Sequence, residues 1–248
     1  MRDCIMVVGS GMMGSGIGAM SALAGNRTIL VDVDESHVRS GMEKAMACID
    51  LRVGNGLNTA EEAEEAKKRM ETSIDMLKAA ASARMVIEAV VEQLEVKQAL
   101  FAKLDEVLPV EVPICSNTSG LRITDISGTC KKPERTVTTH FWLPAHLVPL
   151  VEVVMGEKTE RVVAEGVRDE LKKWKKSPVL VQRDLPGQLA NRVFQAIIRE
   201  SVAIVASGLA SAEDVDTAIS CGMAMRFPEW GPLKHLDAIG LNLGLAVQ

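Results

Sequence analysis

Residues 4–14 read Cys4-Ile-Met-Val-Val-Gly9-Ser-Gly11-Met-Met-Gly14, and after a stretch of helical length residues 28–32 read Thr28-Ile-Leu-Val-Asp32. The apolar run before the glycines predicts a strand, and the second apolar run predicts another. A glycine-rich turn between a strand and a helix, with an acid at the end of the next strand, is typical of a βαβ unit that binds a dinucleotide. The G-x-G-x-x-G pattern is weak on its own, but here all four parts stand in the expected order.

Three glycines and the two methionines between them form the predicted phosphate-binding turn. Gly9 and Gly11 allow the backbone to approach a pyrophosphate, and Gly14 gives the helix room to pack on the strand. Met12 and Met13 stand at the predicted start of that helix, where unpaired backbone N–H groups face the anion. We therefore expect all five residues to contact the cofactor.

The acid that follows the second strand indicates which dinucleotide is bound. Asp32 lies 18 residues after Gly14, where a carboxylate can accept hydrogen bonds from the adenosine ribose. Its charge repels a 2′-phosphate, which favours NAD over NADP. Residues 4–25 are uncharged and long enough to span a membrane, but six glycines make a poor apolar helix. The turn could also serve another nucleotide or none.

The composition fits a globular protein that has neither nucleic acid nor membrane as a partner. The 248 residues are 47% hydrophobic, which allows a large core, and the net charge of −5 gives no attraction to nucleic acid or an anionic membrane. The five cysteines are scattered without C-x-x-C spacing, which indicates a reducing compartment and hence the cytoplasm. The four histidines form no cluster, so no metal site is predicted.

Apolar runs alternate with helical patterns through the first three quarters of the chain. This predicts an α/β fold, a Rossmann-type doubly wound and mostly parallel sheet followed by a small all-helical domain. Residues 184–187, Asp-Leu-Pro-Gly, break the pattern, and residues 188–208 then read as one long helix. We therefore expect an NAD-binding domain at 1–183 and a helical domain at 184–248. The predicted strands are 4–9, 28–33, 84–90, 113–117, 136–142, 150–155 and 179–182.

His140 and Glu152 are the strongest candidates for acid–base chemistry. His140 falls near the end of a predicted strand, where open α/β sheets build their sites. Glu152 follows 12 residues later and can sit on the neighbouring strand, where it would fix one imidazole nitrogen and stabilise the protonated ring. The spacing alone equally allows a structural histidine that caps a loop.

Other polar residues fall where a site would form. Asn117 and Ser119 belong to the run Ser116-Asn-Thr-Ser119-Gly120 at the carboxyl edge of the predicted sheet, where they can bind a substrate or cofactor oxygen or simply form a turn. Asn191 stands in the first turns of the long helix, where asparagine often serves only as a local donor.

Together these motifs resemble the L-3-hydroxyacyl-CoA dehydrogenases over essentially the whole chain. The combination is far more specific than any one motif. In order, the matching elements are Gly9-x-Gly-x-x-Gly14, Ile87-Glu-Ala-Val-Val-Glu92 with Lys97, Ser116-Asn-Thr-Ser119, His140-Phe-x-x-Pro144 with Glu152, and Asp184-x-Pro-Gly-x-x-x-Asn191-Arg192.

The resemblance implies a role for each matching residue. His140 would exchange a proton with the 3-hydroxyl group, Glu152 would orient His140, and Ser119 and Asn191 would hold the reacting oxygen. An NAD cofactor, an acyl-CoA substrate and a homodimer are also implied. The implied cofactor contacts are those of Asp32, Glu92 and Lys97.

Two departures from the family pattern leave alternatives open. The family usually has His-Phe-Phe-Asn-Pro where this chain has His140-Phe-Trp-Leu143-Pro, and Leu143 cannot form the hydrogen bonds of asparagine. This favours, as an alternative substrate, a small 3-hydroxy acid that is not a CoA thioester. The chain also stops at Gln248, where family members usually continue for several helices, so we expect a truncated chain. A catalytically impaired NAD-binding protein is the third interpretation.

Overall fold

An eight-stranded sheet organises the first part of the chain in the computed structural model, which describes residues 2–246. The sheet order is β3-β2-β1-β4-β5-β6-β7-β8. The order reverses between β1 and β4, and such a switch point is where open α/β sheets bind their ligands. The strands are β1 Cys4–Val8, β2 Arg27–Val31, β3 Met70–Ser73, β4 Ala83–Glu88, β5 Ile114–Ser116, β6 Thr136–Phe141, β7 Leu150–Val154 and β8 Ser177–Val181.

Neighbouring strands of this sheet run parallel except for one pair. β7 is antiparallel to β6, and β8 is parallel to β7. Residues 142–149, which join β6 to β7, are too few for the helical crossover that parallel neighbours need. The predicted fold class, a mostly parallel Rossmann-type sheet followed by a helical part, is confirmed.

Helices cover the sheet and form the rest of the chain. Their starts follow local chemistry: the Asp34 carboxylate accepts the N–H groups of Ser36 and His37 at the start of α2, and Thr59 with Glu62 forms a capping box on α3. The helices are α1 Met12–Leu23, α2 Glu35–Gly54, α3 Ala60–Lys68, α4 Met76–Ala80, α5 Leu94–Val107, α6 Ile123–Ile126, α7 Arg161–Lys173, α8 Leu189–Ala206, α9 Ala212–Ala218, α10 Pro232–Ile239 and α11 Leu241–Ala246.

Two hydrophobic clusters hold the helices to the sheet. One joins Ile5 and Val7 of β1 to buried residues of α1, and the other joins Met6 of β1 to Phe101 of α5. Successive residues of β1 thus enter different clusters, as expected for a strand buried on both faces.

The chain divides into two compact units, Met1–Leu189 and Ala190–Gln248. The first unit contains the whole sheet with α1 to α7. The second contains nearly all of α8 and the helices α9 to α11.

Candidate active site

The glycine turn after β1 leaves space at the start of α1. Gly9 has φ +94°, and a Cβ there would overlap the carbonyl group of Ala89. A Cβ at Gly14 would overlap the carbonyl oxygen of Gly9, so turn and helix are in contact. A Cβ at Gly11, the N-cap of α1, would meet no protein atom within 4 Å. An anion can therefore reach the unpaired N–H groups of this helix end.

The two methionines of the motif form the first residues of α1. Met12 is 69% exposed and Met13 is half-buried. The backbone N–H groups of both belong to the first turn, which has no acidic side chain. This turn fits the pyrophosphate of a dinucleotide.

Asp32 is held as a fixed negative charge just beyond the end of β2. Its Oδ2 accepts the N–H and the hydroxyl of Ser10, each at 2.7 Å, and its Oδ1 accepts the N–H of Val33 at 2.8 Å. Burial would raise the pKa of Asp32, but the hydrogen bonds from Ser10 and Val33 outweigh it and lower the pKa. The charge opposes a 2′-phosphate, as NAD preference requires. Ser10, a variable position of the motif, was not among the predicted site residues.

His140 and Glu152 face each other across the one antiparallel pair of strands. They are direct partners in the β6–β7 register, and their Nδ1 and Oε2 atoms lie 2.6 Å apart. Glu152 is fully buried and His140 is 5% exposed. With Nδ1–H donated to the carboxylate, Nε2 is the nitrogen that can take up a proton.

Two further side chains meet this pair. The Oγ atom of Ser119 lies 3.2 Å from Nε2 of His140, which fits a hydroxyl donating to the free ring nitrogen. Trp142 donates its indole N–H to Oε2 of Glu152 at 3.1 Å, and its ring centroid lies 5.9 Å from that of His140. Trp142 was not predicted as a site residue, although a position two residues beyond His140 shares its side of an extended chain.

The loop that carries Ser119 is held by Glu92. The Oε1 atom of Glu92 accepts the N–H groups of Ser119 at 3.0 Å and Gly120 at 3.1 Å, together with the Thr118 hydroxyl. Burial would raise the pKa of Glu92, but these bonds and the ammonium of Lys97 lower it. Glu92 therefore remains a carboxylate that fixes the position of Ser119.

A buried ion pair lies beneath this loop. The Nζ atom of Lys97, 1% exposed, lies 2.6 Å from Oε1 of the fully buried Glu88 and 3.2 Å from Oε2 of Glu92. Glu88 also accepts the Ser116 hydroxyl at 2.6 Å and the Val90 N–H at 2.7 Å. Lys97 therefore joins two carboxylates, and its contact with the cofactor stays a prediction. Glu88 was not predicted as a site residue.

The other predicted residues have different surroundings. The amide oxygen of Asn117 accepts the N–H of Phe141 at 2.9 Å and so joins the end of β5 to the end of β6. Leu143 is 59% exposed in the connection between β6 and β7. Asn191 lies in α8 within the second unit, and its place in the site stays a prediction.

Two cations fix the connection of residues 142–149. Lys176 donates to the carbonyl oxygens of Ala145 at 2.5 Å and Val148 at 2.8 Å, and Arg52 donates to that of His146 at 2.5 Å. Burial, with the charge of Arg52, lowers the pKa of Lys176 to about 8. These bonds fix the segment between β6, which carries His140, and β7, which carries Glu152.

Two models of known protein families match this chain. Residues 4–185 match the 3-hydroxyacyl-CoA dehydrogenase, NAD binding domain, and residues 187–248 match the 3-hydroxyacyl-CoA dehydrogenase, C-terminal domain. The chain belongs to the 3-hydroxyacyl-CoA dehydrogenase family. The predicted family, the NAD cofactor and the assignment to NAD-dependent oxidoreductases are thereby confirmed.

Individual relatives have different named substrates. The chain is 37% identical to the 3-hydroxyadipyl-CoA dehydrogenase of Escherichia coli K12 over 98% of its length, but it spans only 50% of that protein. It is 32% identical to the 5-formyl-3-hydroxy-2-methylpyridine 4-carboxylate 5-dehydrogenase of Mesorhizobium japonicum, over 96% of this chain and 76% of that one. The crystal structure of (S)-3-hydroxybutyryl-CoA dehydrogenase from Ralstonia eutropha superposes with a TM-score of 0.83 at 29% identity, over 100% of this chain and 86% of that one.

Neither a metal site nor a membrane-spanning helix is found in residues 2–246. Among residues 2–246, no three His, Cys, Asp or Glu side chains come together in a way that could bind a metal ion. None of the helices in the described part of the chain has the length and apolar character needed to cross a bilayer.

Proposed function

We propose that this chain oxidises an L-3-hydroxyacyl-CoA to the 3-ketoacyl-CoA with NAD, or catalyses the reverse reaction, with His140 as general base and acid. The observation that carries the proposal is the imidazole held between Glu152 and Ser119 at the end of β6. Its Nε2 atom takes the proton of the 3-hydroxyl group as the C3–O bond becomes a carbonyl. Bound NAD supplies the acceptor for the hydride that leaves C3.

Each remaining residue of the site binds or orients a group in this proposal. Glu152 stabilises the imidazolium and fixes the ring, because a buried carboxylate favours the charged form of its partner. Ser119 and Asn191 hold the reacting oxygen. The cofactor contacts come from the glycine turn with Met12 and Met13, from Asp32, and from Asn117, Glu92 and Lys97.

A second candidate function changes the substrate. A small 3-hydroxy acid, used as the free carboxylate, would keep the same acid–base pair. The name of the Mesorhizobium relative favours this alternative, because it is a pyridine carboxylate dehydrogenase. The exposed Leu143 also favours it, since the family usually has asparagine there.

A comparison of two substrates distinguishes these candidates. NADH oxidation is measured with acetoacetyl-CoA and, separately, with acetoacetate at the same concentrations. Turnover of the thioester with little turnover of the acid supports the first candidate, and the opposite result supports the second. Turnover of neither, with NADH still bound, would favour a catalytically impaired NAD-binding protein.

The domain division at 183/184, the homodimer and the cytoplasmic location also remain proposals. The homodimer rests on the family resemblance, and the location rests on cysteine usage. Light scattering of the purified chain measures the oligomeric state, and cell fractionation measures the location.

A further inference from the structure

Glu152 accepts two hydrogen bonds on one oxygen atom. His140 Nδ1 lies 2.6 Å from Oε2, and the indole nitrogen of Trp142 lies 3.1 Å from the same Oε2. Phenylalanine at position 142 would have no N–H group to donate.

The imidazole of His140 and the indole of Trp142 compete for the same oxygen of Glu152. A hydrogen bond to an ionised carboxylate favours its charged form and so makes the oxygen a weaker base. The indole N–H therefore reduces the ability of Glu152 to stabilise a positive charge on His140. Both bonds are shielded from water, because Glu152 is fully buried and Trp142 is half-buried.

The register partner of Glu152 on β8 is Val179, and the loop after β5 contributes Ser119. The charged groups packed against the neighbouring connection are Lys176 and Arg52, which bind its carbonyl oxygens. Replacement of the indole leaves these groups in place, so their effect cancels between variants.

We propose that Trp142 is a positioning residue that limits, through Glu152, the basicity of His140. The inference rests on the proposed role of His140 as the base. It predicts that this chain keeps oxidising hydroxy substrates at lower pH than a variant with phenylalanine at this position.

The test is the pH profile of kcat/KM for oxidation in the wild type and in Trp142→Phe. The proposal predicts that the acidic limb of the variant moves to higher pH by roughly half a unit to one unit, while the rate on the plateau changes by less than about fivefold. An acidic limb that stays within about 0.2 units, or that moves to lower pH, would overturn the proposal.

Trp174 provides the matched control. Its indole N–H donates to Oε1 of Glu170 at 3.1 Å, the same kind of bond at the same distance but away from the acid–base pair. Trp174→Phe should leave the pH profile unchanged. A shift as large as that of Trp142→Phe would show that loss of any indole produces it, and the proposal would be wrong.

A spectroscopic measurement keeps the proposal testable if Trp142→Phe does not fold. The ¹⁵N–¹H resonance of the Trp142 indole should move with pH, and His140→Gln should abolish that movement. An indole resonance that does not respond to pH in the wild type would contradict the proposal. Activity of His140→Gln separates the two claims: retained turnover would refute the proposed function, whereas lost turnover with an unshifted Trp142→Phe profile would refute only this inference.

Discussion

Lys97→Met should destabilise the first unit by removing one half of its buried ion pair. Lys97 and Glu88 are each at most 1% exposed, and their charged atoms lie 2.6 Å apart. Loss of one partner from such a pair costs about 3–5 kcal/mol, because an uncompensated charge remains buried. Glu88 keeps two other donors, the Ser116 hydroxyl and the Val90 N–H, so we expect the lower end, about 3 kcal/mol.

Urea unfolding in a Trp230→Phe background measures this loss. The remaining tryptophans, Trp142 and Trp174, both lie in the first unit, so their fluorescence reports that unit alone. The double variant Glu88→Gln/Lys97→Met should be less destabilised than Lys97→Met, because it removes the fully buried carboxylate and leaves only the partly exposed Glu92 without its lysine.

An exposed ion pair supplies the control for this measurement. Lys172 pairs with Asp169 at 2.9 Å, but both side chains are more than half exposed. Lys172→Met should leave the free energy of unfolding nearly unchanged. A loss of less than about 1 kcal/mol in Lys97→Met, or a double variant less stable than Lys97→Met, would show that an unpaired buried charge is not what destabilises the variant.

Three further predictions concern the His140–Glu152 pair, the cofactor, and Lys176, which binds the connection 142–149. Glu152→Gln should lower kcat about 100-fold with little change in NAD affinity, because the imidazolium loses its carboxylate; stopped-flow turnover and NADH titration measure both. Asp32→Ala should reduce the preference for NAD over NADP at least about tenfold in kcat/KM, because the repelling charge is gone. The pKa of Lys176 is lowered to about 8 in the folded chain, from an ordinary 10.5. Between these two pH values the unfolded chain therefore binds more protons than the folded chain. Stability relative to Lys176→Met should therefore rise from pH 8 to 10.5, by up to about 3 kcal/mol, in urea unfolding at each pH; a flat difference would contradict this.

The sequence patterns predicted the sheet well where strands are apolar and less well at its edge. β3 reads Met-Glu-Thr-Ser, and its middle residues are exposed. It pairs only with β2, so contact with that strand, and not its own pattern, makes it a strand. The reversal at β7 follows from the short connection 142–149, but the strand patterns alone do not assign a direction to each strand.

The site was predictable where a residue stands at a strand end within a motif. His140 and Glu152 were selected in this way, and the β6–β7 register places them opposite each other. Glu88 and Trp142 were missed, because their importance depends on partners that only the folded chain brings near. An acid directly after the apolar run Met85-Val-Ile87, at the end of β4, was the available sequence signal for Glu88.

The proposed acid–base role of His140 is tested by the turnover of His140→Gln. NADH oxidation with acetoacetyl-CoA is measured beside NADH affinity, for this variant and for His146→Gln, a histidine whose ring lies beside Gly16 of α1. We expect His140→Gln to lose at least about 1,000-fold in kcat, with NADH affinity within about twofold, and His146→Gln to keep its activity. A His140→Gln enzyme within about tenfold of the wild type would show that His140 is not the general base.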